Sequence, residues 1–424
     1  MPGDHAARWA VCQGNNALIG GDLTAAATHF QHAVALDPSV PGALLGLGKV
    51  RCGLALWQSA RGLLEQALAI PSDAQAARHA LWEVCQVLGD RAAAVGFLRA
   101  AVRLDPLVSR PCLAPQRRVL ALNAVGDFQA NLPLAPLLDP ATTELHTLWL
   151  DPEAGDPSLP GGLPPFDVVF IAIAEDERHA GLLAAADRLA AAAGRPVVNS
   201  GRAIARLSRD GTTRLLAGLP DAIVPPQRLV SRGDPIGAYP VIIRPRRSHA
   251  GEGLARLDDD AALAAYLAAH PEADAFFVAP FIDYRSPDGQ WRKYRIIFVD
   301  GEPLPFHLAI HSGWAVWYYN AGMAEDAAKR AEEAMVIQDL ASAFPPRAMT
   351  ALRELGRRVG LDYFGLDCSL MPDGRLLIFE VETGMLVHDA DPRDLYPYKE
   401  AAVARIFRAV EAMLDRRIAS AQAA

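Results

Sequence analysis

The chain has 424 residues, 51% of them hydrophobic and 21% charged, a composition that fits two or three packed domains and excludes a disordered chain. Its net charge of −8 argues against nucleic acid as the main partner, because phosphate backbones select basic surfaces. No apolar run is long enough to span a bilayer. The opening stretch MPGDHAARWAVCQ carries Asp4 and has no continuous apolar core, so it does not read as a signal peptide. Cys12, Cys52, Cys85, Cys112 and Cys368 are odd in number and contain no CxxC pair, which fits a reducing compartment. A cytoplasmic protein with no membrane partner is expected.

Residues 1–108 carry an internal repeat. FQHAVALDP, LLEQALAIP and FLRAAVRLDP resemble one another. Ala26, Ala60 and Ala94 are spaced by 34 residues, as are Phe30, Leu64 and Leu98, and Ala33, Ala67 and Ala101. Pro38 and Pro106 close two units, and Pro71 closes the middle one a residue early. Small residues let paired helices approach closely, the larger Phe30 fills the space between them, and Gly14 and Gly48 are suited to the same task in the partner helices. The pattern resembles the tetratricopeptide repeat. That resemblance implies an all-α stack whose concave face docks a peptide, protein or carrier; dimerisation or internal packing are the other uses open to it.

Residues 109–207 read as an α/β domain. RRVLALNAV (117–125), FDVVFIAIA (166–174) and PVVNS (196–200) are apolar strand-like runs, and a helical stretch ending at Gly194 lies between the last two. This order predicts a parallel pairing with helices on the faces. The Pro- and Gly-rich segment 151–165 reads as a loop.

Residues 208–424 carry the chemistry. YPVIIRP (239–245), FFVAPFI (276–282), YRIIFVD (294–300) and EPLPFHLAI (302–310) are strands, with a D-G hairpin turn at Asp300 and Gly301. LDYFGLDCSLM (361–371) and LLIFEVE (376–382) form another pair across the PDG turn, and an amphipathic helix closes the chain. Glu380 and Glu382, two apart on one strand, share a face. Pairing across the turn brings Asp367 within reach, and three carboxylates on one surface repel unless a cation sits among them. Hard oxygen donors of this kind suit Mg²⁺ or Mn²⁺. The loop RPRRSHAGEGL (244–254) offers Ser248, His249, Gly251 and Gly253 with Arg244, Arg246 and Arg247, a combination able to approach phosphates.

Taken in order, the basic strand end, Gly-rich loop, VAPFI strand, KYRIIFVDG strand and D…ExE set resemble the ATP-grasp superfamily, which includes glutathione synthetases, D-alanine–D-alanine ligases and ribosomal-protein glutamate ligases. The resemblance covers roughly residues 175–385. It implies an α+β ATP-grasp domain behind an α/β pre-ATP-grasp domain. It implies ATP held by Arg244, Ser248, His249, Gly251 and Gly253, with adenine at Pro280, Phe281 and Ile282. It also implies Arg295 and Lys293 at the transferred phosphate, and metal on Asp367, Glu380 and Glu382. The implied activity is ATP-dependent carboxylate–amine ligation through an acylphosphate, on an amino acid or peptide. An ATP-dependent phosphotransferase and an ATP-regulated scaffold are the alternatives.

Departures from the family are visible. A lysine expected near SRDG (208–211) falls at Gly211, the strand lysine is Arg244, the last metal ligand is Glu382 instead of asparagine, and a hinge acid becomes Pro280. HSGWAVWYYNAGM (311–323) reads either as a substrate wall or as core and turn. His311, Trp317 and Asn320 within it, with His307 before it and His388 after the last strand, are candidate substrate contacts, while Glu332 and Glu333, in a charged helix, are expected on a solvated face.

Overall fold

The computed structural model describes residues 2–248 and 251–422. The chain divides into two compact units. One holds the residues up to Pro111 together with Leu120–Asn131 and Leu145–Pro164; the other holds Cys112–Val119, Leu132–Glu144 and the chain from Pro165 onward.

An N-terminal helical region of about 100 residues opens the first unit as consecutive helix pairs. These are α1 (Pro2–Ile19) with α2 (Leu23–Leu36), α3 (Ala43–Gly53) with α4 (Trp57–Ala67), and α5 (Ala74–Val87) with α6 (Arg91–Val102). The second helices begin at Leu23, Trp57 and Arg91, a step of 34 residues each time. Asp22 and Asp90 cap two of them by accepting the N–H groups of Ala25 and Ala93 at 2.9 and 3.2 Å. The positions that recur in the sequence (Ala26, Phe30 and Ala33, Ala60, Leu64 and Ala67, Ala94, Leu98 and Ala101) are fully buried. Glycine is required opposite the large ones: a Cβ on Gly14 would lie 2.8 Å from the Phe30 ring, and one on Gly48 would lie 2.7 Å from Leu64. The unit extends past the helices, where Leu98 packs with Val125 and Trp149, and the Trp82 indole donates to the Gly126 carbonyl at 2.8 Å.

The first sheet contains β1 (Leu107–Arg110), β2 (Arg117–Ala124), β3 (Thr143–Leu150), β4 (Val168–Ile171) and β5 (Val197–Val198), in the order β1-β3-β2-β4-β5. β4 and β5 are parallel, as their strand–helix–strand order predicts, whereas β1 and β3 are antiparallel. The intervening helix Ala180–Ala193 ends at Gly194, whose φ of 61° closes its C-terminus.

Two further sheets belong to the second unit. β6 (Ala222–Ile223) joins the last of them. β7 (Arg228–Ser231), β8 (Val241–Pro245), β9 (Ala255–Leu257) and β10 (Ala275–Pro280) form an antiparallel sheet in the order β7-β10-β8-β9. Its core comprises Val241, Ile243, Phe276 and Val278, with Tyr266 from the helix Asp260–Ala269. β11 (Trp291–Val299), β12 (Glu302–His311), β13 (Tyr363–Leu370) and β14 (Leu376–Glu382) give the order β12-β11-β13-β14-β6, antiparallel except where β6 meets β14. Asp300 and Gly301, with φ of 50° and 80°, make the tight turn between β11 and β12. No helix among the described residues is long and apolar enough to cross a membrane.

Candidate active site

The site begins as a row across four strands. His307 on β12 is opposite Arg295 on β11, Arg295 is opposite Asp367 on β13, and Asp367 is opposite Glu380 on β14. Glu382 follows two residues later, opposite Gly365. That glycine is forced, because a Cβ there would run into the Met385 side chain.

Asp367 is buried and holds two cations. Arg295 donates to both its oxygens at 2.9 and 3.0 Å, and the Lys293 ammonium lies 2.7 Å away. Burial works to raise the Asp367 carboxyl, but Arg295 and Lys293 overcome it and hold the group below the usual carboxylate range. Glu382 has the opposite fate. Burial first, then Glu380 and Asp367, push it up to about 7 against the pull of Arg295.

Among the described residues, no three His, Cys, Asp or Glu side chains gather closely enough to hold one ion. The sequence put Asp367 in such a trio, whereas in the structure both its oxygens serve Arg295, and Lys293 shares one of them. A hard cation between Glu380 and Glu382 would relieve the repulsion that adds to burial in raising Glu382.

On the second sheet, Arg244 is the penultimate residue of β8 and is tied to the following loop. It donates to the Ser248 hydroxyl at 3.0 Å and to the Ser248 carbonyl at 2.7 Å. Burial and then Arg209 pull it down to about 10, while Glu380 and Glu382 act in the other direction. Arg244 therefore stands within the field of the β14 carboxylates. Gly251 and Gly253 have φ of 78° and 66°, and Tyr266 donates to the Gly253 carbonyl at 2.7 Å. His249 lies outside the described residues. At the end of β10, the Phe281 N–H donates to the Pro240 carbonyl at 3.0 Å, and the Arg256 guanidinium covers the Phe281 ring at 4.1 Å. Pro280 ends that strand, and Ile282 follows in irregular chain.

Three residues that sequence reasoning missed belong here. Gly211 cannot carry a side chain, since a Cβ would meet the Arg206 carbonyl. Arg209, two residues earlier, donates to the Ser248 carbonyl at 3.4 Å. Glu175, just past β4, donates its N–H to the Thr383 hydroxyl at 2.8 Å. Burial, then Asp176, push its carboxyl up to about 7. The third is Lys399, buried and 2.9 Å from Asp391. A cationic residue near SRDG and an acid closing an apolar strand were the available signals for the first two; Lys399 had none.

The expectation for Glu333 is corrected. It is fully buried, accepts from the Tyr318 and Tyr398 hydroxyls at 3.0 and 2.6 Å and from the Leu308 N–H at 3.1 Å, and faces Lys399 at 3.6 Å. Burial is the largest influence on this carboxyl and pushes it up, against the pull of Lys399, Tyr398, the Leu308 N–H and Tyr318. Glu332 forms an ion pair with Arg292 at 2.6 Å. Among the candidate substrate contacts, His307, Trp317 and His388 line one cavity with Lys293 and Arg295. His311 instead accepts from the Gly313 N–H at 3.0 Å within a turn, and Asn320 holds the Trp317 N–H and Ala315 carbonyl.

No family model matches the chain, and no curated protein matches its sequence. Solved structures similar to it include the D-alanine–D-alanine ligase from Coxiella burnetii, at 14% identity and TM-score 0.45 over 72% of this chain and 96% of that one. Another is a RimK domain ATP-grasp protein from Sphaerobacter thermophilus, at 18% identity and TM-score 0.42 over 70% and 99%. The VanG D-Ala:D-Ser ligase from Enterococcus faecalis is similar at 14% identity and TM-score 0.45 over 70% and 99%. Likeness at this level leaves the functional argument to the residues themselves.

Proposed function

We propose that the chain is an ATP-dependent carboxylate–amine ligase of the ATP-grasp type, acting through an acylphosphate on an amino acid or peptide. The observation that carries this reading is the His307–Arg295–Asp367–Glu380 row beside Glu382, with Arg244 in the field of the two glutamates. Cations and a hard-metal site on one surface are what an in-line phosphoryl transfer needs, because charge spreads over the transferring group.

In this reading Arg244, Ser248, His249, Gly251 and Gly253 hold the triphosphate, with Arg209 as an additional cation. Pro280, Phe281 and Ile282 border the adenine. Glu380 and Glu382 hold Mg²⁺ or Mn²⁺, which neutralises charge on the nucleotide when bound. Arg295 and Lys293 lie at the reacting phosphate, and Asp367 fixes their direction. The repeats of residues 1–108 dock a peptide, protein or carrier, residues 109–207 form the pre-ATP-grasp domain, and residues 208–424 catalyse.

The test is ADP formation by the full chain across a panel of amino acids and dipeptides, with product masses read out. ADP release that requires both an acid and an amine, and that is lost in Asp367→Asn and Glu380→Gln while helical circular dichroism persists, supports the assignment. ADP release without any added acid would point to phosphotransfer, and full activity in both variants would remove the site.

A further inference from the structure

Next to Arg295 the third sheet carries a cavity of about 130 Å³ whose walls differ in chemistry from one side to the other. One side is cationic. Lys293 and Arg295 both line it, and Asp367 pairs with both, while Glu380 and Glu382 act on Arg295 from farther away. Asp391, also on the wall, pairs with Lys399 at 2.9 Å; that ammonium faces Glu333 at 3.6 Å and sits over the Tyr318 and Tyr396 rings at 4.2 and 4.5 Å. A cationic ligand group would find this aromatic box filled by the protein's own lysine.

The rest of the wall is flat and apolar. Phe306 lies inside and is fully buried. Trp317 and Tyr319 stand at the mouth with 52% and 77% of their surface exposed, their rings 4.9 Å apart. Large aromatic groups left in water at the rim of a cavity mark a surface awaiting an apolar partner. Among the described residues, the buried Nδ1 of His307 has no hydrogen-bond partner. Burial, then Lys399 and Arg295, drive that imidazole well below its ordinary range, so it is a neutral polar atom within the wall.

We propose that this cavity seats the acid to be activated, and that the acid carries an aromatic or similarly flat apolar group: carboxylate toward Arg295 and Lys293, ring against Phe306 and under Trp317 and Tyr319. The proposal rests on the ligase reading for what happens next. A carboxylate oxygen forms a bond to the γ-phosphorus of ATP, the bond from that phosphorus to the ADP oxygen breaks, and the electron pair leaves with ADP. The seat itself does not depend on turnover.

The test is calorimetric titration of the full chain with 3-phenylpropionate and with propionate, which share a head group and differ in the ring. Phenylpropionate is expected to bind at least about tenfold more tightly. The Trp317→Ala/Tyr319→Ala double variant, altered only at exposed rings, is expected to lose that advantage while propionate and Mg²⁺–ATP binding stay unchanged. Equal or absent binding of the two acids, or a preference that survives in the variant, overturns the proposal. ADP release measured on the same acids with an added amine keeps the two readings apart. Ring-dependent binding with no ADP from any acid supports the seat and removes the ligase. ADP release confined to acids without a ring removes the seat and keeps the ligase.

Discussion

Arg295 pairs with Asp367 through two parallel hydrogen bonds, while Lys293 meets the same carboxylate as a point charge. The two cations are therefore not interchangeable. Arg295→Lys keeps the charge and loses the fork, so kcat is expected to fall by about a hundredfold with a smaller change in KM for ATP. Steady-state kinetics check this, and an unchanged kcat would mean that the guanidinium plane is irrelevant to the reaction. Much of this pairing was legible: Asp367, Arg295, Glu380 and Glu382 stood out as charges on apolar strands. What the sequence could not carry is which charge satisfies which. Asp367 reads as a ligand until the antiparallel register sets it opposite Arg295.

Glu175 gives a pH signature. Its carboxyl, ordinarily near 4.5, is pushed up to about 7 by burial and then by Asp176. Below about 4.5 the folded and unfolded chains both hold the proton. Between 4.5 and about 7 the unfolded chain has released it and the folded chain has not, so stability falls as pH rises through that window, by at most about 3 kcal/mol. Glu175→Gln is expected to flatten this part of the profile of Tm against pH. A variant with the wild-type slope would assign the effect to another group.

At the scale of the element, the helix pairs show how a small residue can be worth more than its propensity. Gly46→Ala should stabilise α3 by up to about 1 kcal/mol on propensity alone. Yet a Cβ at Gly46 would strike the fully buried Phe30 ring, and overpacking of this kind costs about 1–3 kcal/mol. The packing effect wins, so Gly46→Ala is expected to lower the thermal midpoint of the helical signal; an increase would show that the ring can yield. The repeat was legible because its step of 34 residues survives in buried positions. β3 was not. Its TELHTLWL alternates imperfectly, with polar Thr143 and His146 also buried, so no periodicity marks it as a strand. Glu333 failed for a related reason. A charged helix looks solvated in sequence, and the Tyr318, Tyr398 and Lys399 groups that bury its glutamate come from distant segments.

At the scale of the whole molecule, a helical region precedes mixed sheets, and the candidate residues Arg244, Arg295, Asp367, Glu380 and Glu382 lie on strands of the last two of them. The central claim is that Arg244 with the Ser248 loop and Glu380 with Glu382 together grip a metal-bound nucleotide triphosphate. The direct measurement is calorimetric titration of ATP into the full chain, with and without Mg²⁺, for the wild type and for Glu380→Gln/Glu382→Gln. The account predicts ATP binding in the wild type that strengthens with Mg²⁺, and a double variant in which the Mg²⁺ effect is gone and affinity in its presence is lower by about tenfold or more. Equal affinity in both proteins, with the same response to Mg²⁺, would contradict it.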